Sequence, residues 1–273
     1  IQTGQTDSKF GLGISDGRAI EAIEKALSME GIVLKGLHCH IGSQIFDLAS
    51  YKVAAKVMME LMKEIKDKYG VALPELNMGG GLGIRYSSGD IPTPIEEYGK
   101  ALIETIKEAS KEYGMDLPKL IVEPGRSIVG EAGTTLYTIG SIKEIPGIRT
   151  YVAIDGGMGD NPRVALYQAV YEGALANKMN SAPEDVVTIC GKCCESGDVL
   201  IWDVELPKVE SGDILAVFST GAYNYSMASN YNRLPRPAAV LVRDGEADVI
   251  VERESYEDLI KNDVIPERLE KRV

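Results

Sequence analysis

Hydrophobic residues in the first 130 positions alternate between helical spacing and short continuous runs. Helical spacing appears three times, in segments that end near Gly31, Gly70 and Gly114. The apolar residues of these three segments are Ile20, Ile23, Leu27; Val53, Val57, Leu61, Ile65; and Tyr98, Leu102, Ile106, Ala109. Apolar runs at 32–41, 75–78 and 120–122 follow the three segments in turn and predict strands. A helix followed by a strand, three times over, predicts a run of parallel β/α units.

Capping signals support the helices. Ser15 can cap the first, and Thr93-Pro94-Ile95-Glu96 reads as a capping box with proline at the first helical position of the third. Glycines at the three helix ends suit the left-handed conformation in which helices commonly stop.

The pattern changes after Gly130 to short β-rich segments separated by turn residues. The predicted strands are 134–139, 150–154, 199–204, 214–218, 238–242 and 247–251. One helix is predicted near 164–176 and another near 256–262, which Ser255 can cap. We therefore expect two domains, residues 1–130 with β/α architecture and residues 131–273 rich in β structure.

Three β/α units are too few to close a barrel, which takes eight strands in about 250 residues. An open three-stranded parallel sheet would leave long exposed edges. We expect the first domain to hold the last units of a barrel whose N-terminal part lies outside these residues.

Composition narrows the function. The 273 residues carry a formal net charge of −12 and show no cluster of basic residues, which argues against nucleic acid or an anionic membrane as a partner. No signal-peptide pattern opens the chain, and no apolar run approaches the ~20 residues that span a bilayer. Three of the four cysteines fall within 190–194, a poor disulfide framework that indicates a reducing, cytoplasmic compartment.

Two strand ends carry residues suited to binding an anion. Leu120-Ile121-Val122 runs into Glu123-Pro124-Gly125-Arg126, which places an acid beside an arginine where β/α folds bind ligands. Gly79-Gly80-Gly81 follows the preceding strand, and consecutive glycines let backbone N–H groups approach a phosphate. The plainer alternatives are a surface ion pair and a tight turn.

Histidine and cysteine motifs leave alternatives open. His38 and His40, one residue apart on a strand, could ligate zinc in a hydrolase, but the chain has only these two histidines, so we expect no metal. We expect His38 to be a core or hydrogen-bonded residue and His40 to be the better ligand candidate. Cys190-Gly-Lys-Cys193-Cys194-Glu195 forms either a turn with buried thiols or a thiol beside a carboxylate that can transfer a proton.

Further candidates lie in the second half. Arg163 and Tyr167 are four residues apart, so on a helix they could bind one carboxylate together, although a solvated arginine beside a packed tyrosine is the simpler expectation. Gly221-Ala222-Tyr223 and Asn230-Tyr231-Asn232-Arg233 form an aromatic, amide-rich segment that could close a pocket or be a plain connector.

Together and in this order, the motifs resemble the diaminopimelate decarboxylases, a branch of the pyridoxal phosphate-dependent group that also holds the ornithine and arginine decarboxylases and shares a fold with alanine racemase. The resemblance runs from Lys9 to Arg233 and rests on His-Ile-Gly-Ser-Gln, Gly-Gly-Gly-Leu-Gly, Glu-Pro-Gly-Arg, Cys-Glu-Ser-Gly-Asp and Gly-Ala-Tyr. It implies the C-terminal units of a pyridoxal phosphate-binding (β/α)8 barrel followed by a β-rich barrel or sandwich domain. Cys194-Glu195-Ser196 and Arg163-x-x-x-Tyr167 favour the diaminopimelate branch, because the ornithine branch tends to carry Cys-Asp.

The resemblance also implies roles. Glu123 would bond the pyridine nitrogen, and His40 would stack on the ring. The implied contacts of the cofactor and its phosphate also include Ser43, Gly79, Gly80, Gly81, Gly125, Arg126 and Tyr223. Arg126 would bind the phosphate or, together with Arg163 and Tyr167, the distal carboxylate of the substrate. Glu195 would pair with the distal ammonium of the substrate, and Tyr223 would also contact the substrate. Cys194 would protonate the carbon that loses CO2, giving L-lysine, and would act in the partner's site of a homodimer.

One family feature is missing. The Schiff-base lysine lies in a stretch resembling Tyr-Ala-x-Lys-Ala, and the 273 residues contain none. We expect these residues alone to be inactive and meso-2,6-diaminopimelate decarboxylation to belong to the full-length enzyme. The alternatives are a decarboxylase acting on ornithine, arginine or carboxynorspermidine, and a non-catalytic homologue that binds a partner.

Overall fold

A computed structural model describes residues 8–270 of the chain. The chain divides into two compact units, Ile1–Glu131 and Ala132–Val273. The first consists of β/α units, and the second is β-rich.

The first unit contains three parallel strands, with helices before, between and after them. Its elements are α1 (Arg18–Leu27), β1 (Gly36–His38), α2 (Leu48–Tyr69), β2 (Glu75–Asn77), α3 (Ile95–Tyr113), β3 (Lys119–Ile121) and α4 (Arg126–Val129). The sheet order is β1-β2-β3, with Leu37, Leu76 and Leu120 in register. Because all three strands run the same way, their C-terminal ends lie along one edge of the sheet.

The predicted helix starts were wrong in two places. Helix α1 begins after Gly17 rather than under a Ser15 cap. Helix α3 begins at Ile95 with Pro94 as its N-cap, and no capping box forms because the Thr93 hydroxyl donates instead to the Phe46 carbonyl at 2.8 Å. The Thr93 side chain therefore makes a tertiary contact instead of the helix cap that the local sequence predicted.

The core of the first unit forms where α2 and α3 pack over the sheet. Leu76 in β2 and Leu102 in α3 are completely buried, and Tyr98, Ile106 and Ala109 share the buried face of α3 as predicted. In α2 the predicted stripe was wrong at Val53 and Val57, which are exposed. The buried stripe of α2 consists instead of Tyr51, Ala55, Met58, Met59, Leu61, Met62 and Ile65.

The strand predicted over 32–41 is shorter in the structure, covering Gly36–His38. A Cβ at Gly36 would lie 2.2 Å from the Glu75 carbonyl oxygen, so glycine is what allows β1 to approach β2 at its start. His40 therefore lies in the loop after the strand rather than on it.

The second unit is built on a six-stranded sheet and a separate hairpin. Its elements are β4 (Thr134–Ile145), β5 (Arg149–Ile154), α5 (Arg163–Tyr167), β6 (Gly173–Leu175), β7 (Asp185–Cys190), β8 (Val199–Leu206), β9 (Ile214–Phe218), β10 (Ala239–Arg243), β11 (Glu246–Val251), α6 (Tyr256–Ile260) and α7 (Glu267–Glu270). The large sheet has the order β6-β9-β4-β5-β7-β8 and is antiparallel except between β5 and β7, while β10 pairs with β11.

The helix predicted over 164–176 was wrong in extent. Helix α5 ends at Tyr167 because Gln168 adopts a left-handed conformation, with φ 53°, and β6 begins at Gly173. Strand β7 was not predicted. The Ser255 cap of α6 is confirmed, and it forms a complete capping box with Asp258. Among residues 8–270, no helix combines the length and apolar composition needed to cross a membrane.

Candidate functional site

Three loops meet at the C-terminal edge of the parallel sheet. They follow β1, β2 and β3 and contain His40 and Ser43, the glycines 79–81, and Glu123, and the third loop leads into Arg126 at the start of α4. Backbone hydrogen bonds join them: Glu123 N–H donates to the Gly79 carbonyl at 2.7 Å, and Ile45 N–H donates to the Gly81 carbonyl at 3.0 Å. The structure thus brings together candidates that are more than eighty residues apart in sequence.

The glycine loop is tightly enclosed by its neighbours. A Cβ at Gly80 would lie 2.3 Å from the Glu123 carbonyl oxygen, and one at Gly81 would lie 2.2 Å from that of Gly42. Gly79 and Gly81 also have positive φ angles of 65° and 100°. From beneath, the buried Tyr51 donates its hydroxyl to the Gly80 carbonyl at 3.3 Å. Only glycines fit this loop, and its backbone is fixed from two sides.

The glycine loop also fixes His40. The N–H of Gly80 donates to Nδ1 of His40 at 3.3 Å. This hydrogen bond orients the imidazole ring beside the loop.

Two side chains contact the carboxylate of Glu123: His38, which the sequence singled out, and Asn77, which it did not. Asn77 Nδ2 lies 2.7 Å from Oε1, and His38 Nε2 lies 3.4 Å from Oε2. The Asn77 hydrogen bond, followed by the nearby imidazoles of His38 and His40, lowers the pKa of Glu123, although partial burial opposes them. Since half of the carboxylate side chain is exposed, Glu123 is an ionised acceptor available to a ligand.

Sequence reasoning missed Asn77. Its side-chain oxygen also accepts from the Gly79 N–H at 2.9 Å, so one amide links the glycine loop to Glu123. The available signal was its position as the last residue of β2, immediately before the loop. His38, expected in the core or hydrogen-bonded, is hydrogen-bonded but not in the core, since its side chain is half exposed.

Arg126 is buried and contacts different groups from Glu123. Its guanidinium donates to Ser43 Oγ at 2.9 Å and to the Tyr86 hydroxyl, and it lies over the Tyr86 ring at 5.5 Å. The surface ion pair considered from sequence is thus replaced by two separately positioned charges. A Cβ at Gly125 would meet no atom within 4 Å, so packing gives no reason for that glycine.

In the second unit, Arg163 is buried against aromatic rings. It donates to the Tyr171 hydroxyl, and its guanidinium carbon lies 5.7 Å from the Tyr171 ring centre and 6.0 Å from that of Tyr223. Tyr223 occupies a left-handed conformation, with φ 67°. Tyr167, the expected companion of Arg163, is 52% exposed, whereas Arg163 is 6% exposed. The tyrosine beside Arg163 is therefore Tyr171, which sequence reasoning missed because the segment was assigned to a helix.

The cysteine loop connects β7 to β8 and carries Cys194 and Glu195 at an exposed tip. The Tyr231 hydroxyl donates to Glu195 Oε2 at 3.4 Å. Cys193 is partly buried, and burial together with the Asp198 carboxylate raises the pKa of its thiol to about 11. Of the two neighbouring thiols, Cys194 is the accessible one.

The four cysteines are free thiols. Within residues 8–270, no group of three or more His, Cys, Asp or Glu side chains is arranged to hold a metal ion.

Residues 1–130 match the model of the pyridoxal-dependent decarboxylase family, pyridoxal binding domain. Across 97% of its length, the chain is 56% identical to the diaminopimelate decarboxylase of Bacillus subtilis, of which it covers 60%. It is 49% identical to the diaminopimelate decarboxylase of Synechocystis over 98% of its length, covering 57% of that protein.

Solved structures give the same similarity. The crystal structure of diaminopimelate decarboxylase from M. jannaschii with L-lysine matches 98% of this chain and 60% of its own, with a TM-score of 0.91 and 41% identity. The Helicobacter pylori enzyme with L-lysine matches with a TM-score of 0.84 and 30% identity, over 96% of this chain and 62% of its own. The chain thus spans about 60% of the length of the relatives it matches.

Proposed function

The chain belongs to the family of pyridoxal-dependent decarboxylases, with diaminopimelate decarboxylases among its relatives, and on that premise we propose that the whole protein converts meso-2,6-diaminopimelate to L-lysine and CO2. The observation that carries the proposal is the ionised Glu123, oriented by Asn77 beside a loop that admits only glycine. This is the donor and acceptor set that a protonated pyridine ring and a phosphate require.

Pyridoxal 5'-phosphate supplies an electron sink for the charge left when CO2 departs. Glu123 would accept a hydrogen bond from the ring nitrogen and, being ionised, would keep that nitrogen protonated. His40 would pack against the ring. Ser43, the backbone of Gly79–Gly81, Gly125 and Arg126 would hold the phosphate, and Arg126 would alternatively bind the substrate carboxylate. The close packing around the glycine loop supports this assignment, because it fixes the loop backbone before any ligand arrives. The Gly79 and Gly80 N–H groups add to this by bonding Asn77 and His40.

Residues of the second unit are proposed to recognise the substrate. Arg163 binds the distal carboxylate, with Tyr167 as the exposed contact one turn away, and Glu195 pairs with the distal ammonium. Tyr223 contacts phosphate or substrate. Cys194 delivers a proton to the carbon that has lost CO2, a role for which its exposure at the loop tip is suited.

We further propose that the Schiff-base lysine lies outside the 273 residues. Lys35 directly precedes β1, at the opposite end of the strand from the glycine loop, and Lys192 lies in the cysteine loop. Borohydride treatment of this chain with pyridoxal phosphate, followed by peptide mass analysis, should label no single lysine. One specifically labelled lysine within the 273 residues contradicts this proposal.

A homodimer with shared sites is proposed from the family resemblance and from the exposed tip that carries Cys194 and Glu195. Light scattering of the whole protein measures the dimer. Mixing inactive Glu123→Gln and Cys194→Ala subunits should restore activity, because a mixed dimer contains one site with both residues intact. No recovery in a verified mixed dimer contradicts sharing. The free thiols support a reducing, cytoplasmic location.

Release of CO2 by the whole protein from meso-diaminopimelate, ornithine, arginine and carboxynorspermidine tests the substrate. We expect turnover of diaminopimelate and its loss in Glu123→Gln. Preference for another substrate would assign the protein to the decarboxylase branch that acts on that substrate. No turnover of any of the four substrates would favour a non-catalytic homologue that binds a partner.

A further inference from the structure

Two loops of the second unit converge on one buried carboxylate. Asp198 is 3% exposed, although no role was assigned to it beyond its place in the Cys-Glu-Ser-Gly-Asp motif. Its Oδ1 accepts from the Met158 N–H at 2.7 Å, and its Oδ2 accepts from the Cys193 N–H at 2.8 Å. A buried carboxylate that binds two backbone donors fixes both segments firmly, because each N–H would otherwise be left unsatisfied.

The two loops carry different parts of the proposed substrate machinery. Met158 lies five residues before Arg163, in a turn closed by the Asn161 N–H donating to the Gly157 carbonyl at 3.0 Å. Cys193 directly precedes Cys194 and Glu195. The Asp198 carboxylate thus bonds neither Arg163 nor the tip residues Cys194 and Glu195, but it holds the backbone leading to each. The backbone N–H of Asp198 adds a bond to the Glu195 carbonyl at 3.1 Å.

Adjacent glycines make room for this carboxylate. A Cβ at Gly157 would lie 2.6 Å from Oδ1, and one at Gly191 would lie 2.2 Å from Oδ2. The Lys192 N–H also donates to the Gly156 carbonyl at 3.1 Å, a second link between the same loops. Both loops therefore pack closely around the Asp198 carboxylate, and a side chain at Gly157 or Gly191 would collide with it.

We infer that Asp198 is a positioning residue that fixes the position of the Cys194–Glu195 tip relative to Arg163. It thereby aligns the group proposed to deliver the proton with the group proposed to bind the distal carboxylate. This inference rests on the proposed function for its catalytic consequence and on contacts within the second unit for its geometry. It assigns Asp198 a role in kcat through Cys194 and in KM through Arg163 and Glu195.

Asp198→Asn is the sharpest test, because asparagine keeps the shape and replaces one acceptor oxygen with an NH2 group. That group would face a backbone N–H, so one of the two loops must detach. Asp185→Asn is the matched control. Asp185 is in the same unit and its Oδ2 accepts from the Val209 N–H at 3.0 Å, on a loop that carries none of the proposed residues.

In the whole protein, Asp198→Asn should lower kcat/KM for diaminopimelate about 100-fold, the effect of a displacement of about 1 Å in a reacting group. Both kcat and KM should change. Asp185→Asn should change kcat/KM by no more than about twofold. A folded Asp198→Asn protein with kcat and KM within twofold of the unaltered protein overturns the inference, even if diaminopimelate is confirmed as the substrate.

Thiol reactivity supplies a measurement that needs neither substrate nor cofactor. Burial and the neighbouring Asp198 carboxylate raise the pKa of Cys193 to about 11, so loss of that charge should accelerate alkylation by iodoacetamide. We expect faster alkylation at Cys193 because burial then remains the main cause that raises its pKa, with Cys39 of the first unit unchanged as reference. An unchanged Cys193 rate in folded Asp198→Asn overturns the geometry itself.

Native-state hydrogen exchange of the unaltered chain covers the case in which Asp198→Asn does not fold. The Met158 and Cys193 amides should both be protected and should exchange with similar opening free energies, because one carboxylate holds both. Rapid exchange at either amide contradicts the inference, and it does so whatever the outcome of the substrate assays.

Discussion

The side-chain amide of Asn77 joins the carboxylate of Glu123 to the backbone of Gly79. Its nitrogen lies 2.7 Å from Glu123 Oε1, and its oxygen lies 2.9 Å from the Gly79 nitrogen. One side chain at the end of β2 therefore sets both the direction of the carboxylate and the position of the first glycine. This coupling explains how an exposed glutamate keeps a defined orientation and a lowered pKa.

Asn77→Ala should raise the pKa of Glu123. The hydrogen bond from Asn77 is the largest cause of its lowered value, and its loss leaves the opposing effect of partial burial and the weaker contribution of His38. NMR titration of carboxyl-labelled glutamate in the chain measures the change without cofactor. Asn77→Asp should raise the pKa further, since a second carboxylate would face Glu123. A Glu123 pKa unchanged in both variants contradicts this account.

Gly80→Ala should destabilise the first unit by about 1–3 kcal/mol, the usual cost of overpacking, because its Cβ would lie 2.3 Å from the Glu123 carbonyl oxygen. Gly99→Ala is the matched control. It lies within α3, where an added Cβ meets nothing within 4 Å, so alanine should stabilise by about 0.5–1 kcal/mol. Urea unfolding followed by circular dichroism measures both. Equal effects would show that the loop tolerates a side chain.

Arg163→Ala should raise KM for diaminopimelate or abolish turnover in the whole protein, since the distal carboxylate would lose the guanidinium partner proposed for it. Tyr171→Phe and Tyr167→Phe test which of the two tyrosines acts together with Arg163. Tyr171→Phe removes the hydroxyl that binds Arg163, and a hydrogen bond to a charged group contributes about 1.5–3 kcal/mol, so KM should rise at least about tenfold. Tyr167→Phe should have the smaller effect. Steady-state kinetics of the whole protein measures both effects. A larger effect of Tyr167→Phe would favour the pairing of Arg163 with Tyr167 that the sequence predicted.

Glu254 should make the stability of the second unit depend on acid pH. The Arg236 guanidinium and backbone N–H, with Asn230, lower the pKa of Glu254 from 4.5 to about 2. A lowered folded-state pKa contributes stability that is present above pH 4.5 and is lost as the pH falls toward 2. Urea unfolding followed by Trp202 fluorescence from pH 6 to 3 begins above that window and enters it. It should show a decline below pH 4.5 that Glu254→Gln reduces. An identical decline in both proteins would assign it to other carboxylates.

Local sequence signals determined several elements correctly, each where the deciding contacts are close in the chain. The buried face of α3 followed from the spacing of Tyr98, Leu102, Ile106 and Ala109, and strand β9 matched its predicted range of 214–218. Ser255 caps α6 because its partner, Asp258, is only three residues away. The motif order alone also indicated the family.

Contacts between distant segments decided the rest. The Thr93 hydroxyl donates to the Phe46 carbonyl instead of capping α3 as predicted. Asn77 and Asp198 could not be chosen from sequence, because their role lies in the backbone N–H groups that they bind after the chain has folded. The sequence by itself determined that Glu123 and Arg126 stand at a strand end with ligand-binding chemistry. Only the tertiary structure showed which side chains these two residues contact. Glu123 contacts Asn77 and His38, and Arg126 contacts Ser43 and Tyr86. Parallel pairing of β1, β2 and β3 makes these contacts possible, because it brings the loops after the strands to one edge of the sheet.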